Sequence, residues 1–254
     1  MNPGPIGVFD SGVGGISVLR ELRALLPSED LIYYADSGYC PYGGKPREAI
    51  IERAVSITEF LLARNAKLIV VACNTATIAA VEHLRATYPM PFIGMEPAVK
   101  PAVAQTRSGV VGVLATGAAL AGEKFHRLVA QHAAGVRVIT QPCPGLVECV
   151  ERGDLDGAEP RALVQRYTAP LLAAGADTLV LGCTHYPFLR PLIAEVVGDG
   201  VALLDTGAAV ARQTQRVLER EALLREAGGD GRVDWHSSGD PVLFQRLHRL
   251  LMPE

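Results

Sequence analysis

The sequence predicts an α/β fold built on mostly parallel sheets flanked by helices. Three observations support this prediction. Short apolar runs alternate with longer amphipathic stretches, the short runs are rich in Val, Ile and Leu, and the pattern of one half of the chain returns in the other. Strands that are apolar throughout are typical of parallel sheets, because helices bury both of their faces. Such sheets bind ligands at the carboxyl ends of their strands, so the residues that follow each strand are the candidates for a site.

The predicted elements follow one another as strand and helix along most of the chain. Residues 50–62 and 163–172 repeat apolar side chains every three or four positions, which predicts helices there. The predicted strands are residues 6–9, 31–34, 68–72, 92–95, 110–115, 136–140, 179–182 and 201–204.

Two strand patterns occur twice. The apolar strand that delivers Cys73 is paralleled 110 residues later by one that delivers Cys183. The pattern of the first strand is also repeated, because residues 7–12 resemble residues 112–117 at an offset of 105. The repeat indicates two pseudo-equivalent lobes that face each other, with one cysteine on each side of a shared cleft.

Composition indicates an ordinary folded globule and excludes several classes of protein. With 254 residues, 49% of them hydrophobic, and a net charge of −3, the chain suits one large or two small α/β domains. No basic run is long enough for a nucleic-acid face, and the longest apolar run, residues 68–73, is too short to cross a bilayer. The five cysteines form no CxxC pair and residues 1–5 carry no secretion signal, so we expect a cytoplasmic protein with reduced thiols.

The two cysteines that follow apolar strands are the leading candidates for chemistry. A helix that starts directly after a thiol lowers its pKa through the helix dipole and the free N–H groups. The same N–H groups, with Asn74, Thr75 and Thr184, would make a site for a carboxylate. A lone cysteine is often only a packing residue, and this alternative applies to Cys73 or Cys183 taken singly. Their matched settings favour chemistry.

Two facing thiols suit proton exchange at a carbon atom. Inverting a stereocentre without a cofactor needs a base on one face, an acid on the other and stabilisation of the developing charge. Asp10 at a strand end and His185, two residues after Cys183, are placed to tune the thiols. The alternatives are that Asp10 caps a helix beginning near Ile16 and that His185 is a core or capping histidine.

Two glycine-containing loops are candidates for contact with a ligand. Residues 10–15 lack both the Gly-Lys-Ser/Thr ending of a phosphate loop and the GxGxxG spacing, so we predict a tight turn that lets substrate approach the backbone. Residues 37–45, which include Tyr42, join a strand to a helix and suit a wall over a small ligand; a simple turn is the alternative.

Taken in order, the motifs resemble those of bacterial glutamate racemase, a member of the aspartate/glutamate racemase superfamily. The motifs are FDSGVGG at 9–15, PYG at 41–43, CNTA at 73–76, GMEPA at 94–98 and LGCTHYP at 181–187. A family-like SGD follows at residues 238–240, so the matches run through most of the chain. The resemblance implies two similar α/β lobes related by a pseudo-twofold axis, with the active site in the cleft between them. Residues 1–97 with 207–254 would form the first lobe and residues 98–206 the second.

The resemblance also implies cofactor-independent interconversion of L- and D-glutamate, which supplies D-glutamate for peptidoglycan. Matched motif by motif, Cys73 and Cys183 become the two proton donors and acceptors, and Asp10, Glu151 and His185 assist them. Glu148 competes with Glu151 for the helper role, because Glu148-Cys149 replaces an apolar pair of the family. The implied substrate-binding residues are Asp10, Ser11, Tyr42, Gly43, Asn74, Thr75, Thr184 and His185.

The chain departs from the family pattern in the predicted second lobe. Ala119 stands where similar racemases usually carry threonine, and Gly122 and Phe125 stand where they carry serine and tyrosine. These changes bear on the substrate wall and therefore on affinity and specificity rather than on reaction type.

Three other functions are alternatives. An aspartate racemase would share the paired cysteines, and nothing in the sequence fixes the length of the substrate side chain. A zinc site on Cys73, Cys183 and His185 is the second, although the Cys-x-His spacing is unusual for structural zinc. The third is a non-catalytic protein that keeps the amino-acid cleft, and some similar racemases bind DNA gyrase.

The expected partner is a small-molecule substrate, glutamate, with no cofactor, no metal, no nucleic acid and no membrane. Pyridoxal phosphate is disfavoured because none of the four lysines, Lys45, Lys67, Lys100 and Lys124, has a convincing Schiff-base setting. A homodimer is kept as a hypothesis.

Overall fold

The structure is a computed structural model that describes residues 4–226 and 228–253. Residues 1–3, on which the secretion prediction partly rests, lie outside the described part, as do Ala227 and Glu254 of the predicted first lobe. Among the helices of the described residues, none has both the length and the apolar character that crossing a bilayer requires.

Strands and helices alternate through the described residues. Strands β1 to β9 are, in order, Ile6–Asp10, Leu31–Ala35, Leu68–Val71, Phe92–Ile93, Val110–Ala115, Arg137–Pro142, Thr178–Leu181, Ala202–Leu204 and Val233–Ser237. Helices α1 to α11 are Ile16–Leu25, Arg47–Leu62, Asn74–Thr87, Val99–Gln105, Gly117–Ala121, Glu123–His132, Leu146–Arg152, Ala158–Ala173, Arg190–Val197, Gly207–Arg220 and Pro241–Leu251. Short 3-10 turns occupy Ser37–Tyr39, Tyr42–Gly44 and Tyr186–Leu189.

The described strands form two parallel sheets, which confirms the predicted fold class. One has five strands in the order β4-β3-β1-β2-β9, and the other has four in the order β6-β5-β7-β8. Every strand pair given in the two sheets is parallel. The chain divides into two compact units: the first unit comprises Met1–Met95 and Gly207–Glu254, and the second unit comprises Glu96–Thr206.

Most predicted strands lie within two residues of the observed bounds, but two features differ. The fourth predicted strand, residues 92–95, stops at Ile93, because the Met95 N–H donates to Thr77 Oγ1 (3.0 Å) rather than to a neighbouring strand. The ninth strand, Val233–Ser237, was not predicted. Its apolar and polar residues alternate, as expected of an edge strand with only partial burial, so it lacks a continuous apolar run.

In the first unit, β1 lies at the centre of its sheet and is buried along its whole length. Helices α2 and α3 pack on the face that presents Phe9, Ile69 and Val71. The last part of the chain completes the unit, since β9 pairs with β2 from Leu31↔Val233 to Ala35↔Ser237 and α10 packs on α1. The carboxyl ends of β1, β2 and β3 are therefore neighbours.

In the second unit, β5 and β7 are the two central strands. Their registers pair Val111 with Thr178 and Leu114 with Leu181. The strand order of this sheet matches that of the first unit, with β5 in the place of β1 and β7 in the place of β3. The repeat noticed in the sequence therefore has a counterpart in the topology of each sheet.

Candidate active site

Cys73 lies where β3 gives way to α3. Its backbone is extended (φ −144°, ψ 121°) and it is the N-cap of the helix, so its Sγ accepts the Ala76 N–H at 3.4 Å. The thiol is 5% exposed. A sulfur in this position faces the positive end of the helix dipole, which favours the thiolate. As predicted, a helix begins directly after Cys73.

Asp10 and Ser11 stand beside Cys73 at the end of the adjacent strand, β1. The Cys73 thiol lies 3.7 Å from Ser11 Oγ, and the Ser11 hydroxyl donates towards Asp10 Oδ1 at 3.5 Å. Asp10 Oδ2 also accepts the N–H of Gly15, the N-cap residue of α1, at 2.8 Å. Asp10 is therefore not the N-cap of α1, but its carboxylate binds the N-cap residue and also lies next to the hydroxyl that contacts the thiol.

Gly15 must be a glycine for this arrangement. A Cβ at this position would lie 2.7 Å from Asp10 Cβ and 2.9 Å from the Tyr33 hydroxyl. Contacts that short require the start of α1 to move away from the carboxylate. The glycine-containing turn predicted for residues 10–15 therefore brings the N-terminus of a helix close to Asp10.

Asn74 and Thr75 are the first two residues of α3 and are both buried. Asn74 Oδ1 accepts no hydrogen bond within the part of the chain that the structure describes. A buried carbonyl oxygen without a donor is costly, so it needs an N–H from a ligand or an O–H from water. The ammonium group of an amino acid is a donor of that kind.

Tyr42 and Gly43 lie in the 3-10 turn Tyr42–Gly44, which packs against α3. The Tyr42 hydroxyl donates to Asp36 Oδ2 at 2.5 Å, and the side chain is almost completely buried. Burial, followed by the hydrogen bond to Asp36, raises the pKa of Tyr42 well above its usual range. Tyr42 is therefore neutral. Sequence reasoning missed its partner Asp36, which directly follows β2, whereas Asp10 is the last residue of β1.

In the second unit, Cys183 follows β7 after Gly182. A Cβ on Gly182 would lie 2.9 Å from the carbonyl oxygen of Leu114, so a glycine is needed where the chain leaves the strand. Cys183 is buried, as is Thr184 beside it. A helix was expected to start directly after Cys183, as after Cys73. Instead a 3-10 turn spans Tyr186–Leu189 and α9 begins at Arg190.

His185 and Glu151 supply the second thiol with a hydrogen-bonded pair. Cys183 Sγ lies 3.7 Å from His185 Nδ1, and His185 Nε2 lies 2.7 Å from Glu151 Oε1. An ionised carboxylate can only accept, so Nε2 carries a proton in this contact; in the neutral imidazole, Nδ1 is then the acceptor that faces the thiol. Glu151 rather than Glu148 makes this contact with His185.

A third buried thiol lies in the same unit but has the opposite character. Cys143 is 2% exposed and donates to the Gln141 carbonyl oxygen at 3.2 Å. Burial, reinforced by the charge of Cys183, raises the pKa of Cys143 from 9.0 to about 12. It stays protonated at neutral pH and is unsuited to act as a base.

Of the three ligands in the zinc alternative, Cys183 and His185 lie together in the second unit. The second imidazole nitrogen is already engaged by Glu151. A carboxylate in that position also orients metal-bound histidines, so the contact fits either use of the histidine.

Two of the departures from the family pattern are buried. Ala119 is 1% exposed and its N–H donates to Thr116 Oγ1 at 3.3 Å, where Thr116 caps α5. Phe125 in α6 is also buried.

Comparison with known proteins places this arrangement in a family. A family model described as Asp/Glu/Hydantoin racemase matches residues 6–214. Glutamate racemase of Herpetosiphon aurantiacus is 60% identical over 251 residues, 99% of this chain and 99% of that protein.

Solved structures agree with the family model. The Escherichia coli glutamate racemase in complex with L-glutamate and the activator UDP-MurNAc-ala has a TM-score of 0.86 at 34% identity, covering 98% of this chain and 94% of that one. The Francisella tularensis glutamate racemase in complex with D-glutamate has a TM-score of 0.85 at 27% identity, covering 100% and 95%. The resemblance and the enzyme class predicted from the motifs are confirmed: the chain belongs to the Asp/Glu/Hydantoin racemase family and is an isomerase.

Proposed function

We propose that the enzyme interconverts L- and D-glutamate without a cofactor, with Cys73 and Cys183 as the two acid/base groups. One observation carries the proposal: each thiol is buried at the carboxyl end of an equivalent strand, β3 or β7, beside groups that can accept its proton. Glutamate is chosen as substrate because the relatives of high identity bear that name and two of the similar structures hold glutamate.

The proposed reaction moves one proton off the substrate Cα and another proton on. One cysteine, as thiolate, removes the Cα proton and becomes a thiol. The other cysteine, as thiol, delivers its proton to the opposite face and becomes a thiolate. The reverse direction exchanges the two roles, so each turnover leaves the pair in the state that the opposite enantiomer requires.

The groups beside each thiol suit this exchange. Asp10 and Ser11 serve Cys73, and His185 with Glu151 serves Cys183. Each set offers the thiol proton an acceptor, so that a thiolate can form inside a buried site.

Substrate binding is proposed for the polar groups at the same strand ends. Asn74 Oδ1 would accept from the substrate ammonium, which supplies the donor that this buried oxygen needs. The N-terminus of α3 and the hydroxyls of Thr75 and Thr184 would bind carboxylate, and Tyr42 and Gly43 would wall the substrate. Neutralising the carboxylate lowers the cost of the carbanion that forms at Cα.

We also propose that the product D-glutamate enters peptidoglycan and that the enzyme acts in the cytoplasm. None of the five cysteines forms a disulfide in the part of the chain that the structure describes, which suits a reducing compartment. The homodimer hypothesis is tested by sedimentation equilibrium of the purified protein.

The test follows inversion and solvent exchange of D- and L-glutamate in deuterated water, without added cofactor. Wild type is expected to invert both enantiomers, and Cys73→Ala and Cys183→Ala are each expected to lose inversion by about 10²- to 10⁴-fold. Cys149→Ala, which removes another buried thiol of the second unit, is the matched control and should keep full activity.

Racemisation that survives loss of either cysteine would reject the two-thiol mechanism. Racemisation of aspartate with none of glutamate would move the substrate assignment to the aspartate alternative. Stoichiometric zinc in the active protein would favour the metal alternative.

A further inference from the structure

Asp36 is a buried carboxylate that the reaction proposed above does not use. It is fully buried and accepts four hydrogen bonds from three side chains: Tyr42 Oη at 2.5 Å, Arg53 Nε at 3.0 Å, Arg53 Nη2 at 2.8 Å and Ser238 Oγ at 2.7 Å. We call these four residues the Asp36 cluster. The paired contacts from one guanidinium fix the plane of the carboxylate as well as its place.

The Asp36 cluster lies at the edge of the sheet where the first thiol lies. Asp36 directly follows β2, and its N–H donates to the carbonyl oxygen of Asp10 at 3.0 Å. Tyr42 belongs to the same buried apolar cluster as Cys73, and its turn packs on the helix that Cys73 caps. The Tyr42 side chain therefore connects the Asp36 carboxylate to the residues of the first unit that are proposed to bind substrate.

The loop that carries Tyr42 is held from the other side by the last part of the chain. The Gly38 N–H donates to Ser238 Oγ at 3.1 Å, and a Cβ on Gly38 would lie 2.7 Å from the Ser238 carbonyl oxygen. A Cβ on Gly239 would lie 2.9 Å from Ser37 Cβ. Gly38 and Gly239 are thus both needed for the backbone of the Tyr42 loop to contact the backbone around Ser238.

We propose that Asp36 is a positioning residue for the substrate wall of Tyr42 and Gly43, held in place by Arg53 and Ser238. It acts through Tyr42, whose hydroxyl is committed to the carboxylate and so fixes the ring and the turn that follows. The inference rests on the proposed function for the role of the wall. Because the cluster shapes the binding surface and touches neither thiol in the contacts above, its loss should weaken substrate binding more than the chemical step.

A double-mutant cycle tests the proposal. Asp36→Asn and Tyr42→Phe are each expected to raise KM for glutamate about tenfold while kcat stays within about twofold, since a hydrogen bond to a charged group is broken. The double variant should show little more than either single change, because both remove the same contact. Thermal unfolding of each variant is measured in parallel.

Asp177→Asn is the matched control. Asp177 also accepts four hydrogen bonds, from Thr106, Thr178 and the N–H groups of Arg107 and Ser108, but it precedes β7 and lies at the opposite, amino end of a strand. Its loss should lower stability and leave KM unchanged. Should Asp36→Asn fail to fold, Ser238→Ala removes a single donor and is expected to raise KM about threefold.

Three kinetic results would overturn the proposal: an unchanged KM in Asp36→Asn, additive effects in the double variant, or an equal rise of KM in Asp177→Asn. Hydrogen exchange of residues 37–45 separates this proposal from the proposed function. Faster exchange there in Asp36→Asn, but not in Asp177→Asn, supports positioning even if wild type proves inert towards glutamate; unchanged exchange overturns it.

Discussion

At the scale of single residues, Cys73 and Cys183 occupy equivalent places but have different neighbours. Ala115 ends β5 where Asp10 ends β1, so the second unit has no carboxylate at that position. His185 stands two residues after Cys183, where Thr75 stands after Cys73. The first thiol thus contacts a helix N-terminus and Ser11, which is bonded to Asp10, and the second contacts an imidazole that is bonded to Glu151.

The choice between the two acidic helpers can be decided by paired substitutions. Glu151→Gln is expected to lower kcat roughly 10- to 100-fold, because the neutral amide loses the charge-assisted hydrogen bond that holds the proton on His185 Nε2. Glu148→Gln, three residues earlier in the same helix, should leave kcat unchanged. Equal losses in both variants would contradict the role assigned to the His185–Glu151 contact.

The buried Cys143 thiol predicts a loss of stability at high pH. Its pKa is about 12 in the folded protein against an ordinary 9.0, so between these values the unfolded chain loses its proton while the folded protein keeps it. The free energy of unfolding therefore falls as pH rises through this window, by at most about 1.4 kcal/mol per pH unit from this group. Below pH 9.0 the contribution is fully retained.

Urea unfolding at about pH 8 and about pH 10.5 measures this contribution. Cys143→Ala should show a smaller drop in stability between the two pH values than wild type, whatever its stability at the lower pH. Buried tyrosines titrate in the same direction in both proteins, so the difference between the drops isolates Cys143. Equal drops would show that the thiol does not titrate in this way.

The sequence could predict which residues stand at strand ends but not which of them touch. Cys73, Cys183, Asp10 and His185 lie at or just after the ends of apolar runs, and parallel strands bring such positions to the same edge of each sheet. The contact of Glu151 with His185 joins residues 34 positions apart, and a sequence carries no distance between them. Asp36 was missed for the same reason, because its partners lie 6, 17 and 202 positions away.

At the scale of elements, Gly7 and Gly112 show why the two central strands resemble each other. A Cβ on Gly7 would lie 2.9 Å from Leu61 Cδ1 in α2, and one on Gly112 would lie 2.8 Å from Leu171 Cδ1 in α8. In each unit a covering helix packs its leucine onto the bare backbone of the central strand. The similarity between residues 7–12 and residues 112–117 thus reflects a contact between helix and strand that occurs in both units.

Gly112→Ala is expected to destabilise the protein by about 1–3 kcal/mol, the usual cost of forcing extra volume into a packed core. Its Cβ would also lie 2.5 Å from Leu179 Cδ2, so two leucines would have to move. Gly117→Ala is the control, because Gly117 is exposed and its Cβ would meet nothing within 4 Å. Urea unfolding in which both variants match wild type would contradict the close packing.

At the scale of the whole molecule, the first unit is built from two separated parts of the chain. Gly207–Glu254 completes the unit that Met1–Met95 begins, and β9 adds the last strand to its sheet. Trp235 in β9 packs edge-on against Tyr33 in β2 and against Phe244 in α11. Because Trp235 is the sole tryptophan, its fluorescence reports the attachment of this returning segment.

Substitutions in α11 should separate its buried face from its exposed one. Phe244→Ala is expected to cost about 3–5 kcal/mol, as for other large apolar side chains removed from a core. Val242→Ala, at a position 76% exposed, should change stability by no more than about 0.5 kcal/mol. Unfolding followed by Trp235 fluorescence gives both values, and equal effects would mean that α11 does not anchor the segment.

The discontinuity of the first unit also sets an order of events during synthesis on the ribosome. The second unit, Glu96–Thr206, is continuous, so its residues are all available to fold before β9 has been made. Ser238, which holds the loop through Asp36, is added 32 residues after Thr206, a delay of about 2–6 s at ordinary translation rates. The Asp36 cluster is therefore completed only after every residue of the second unit has been made.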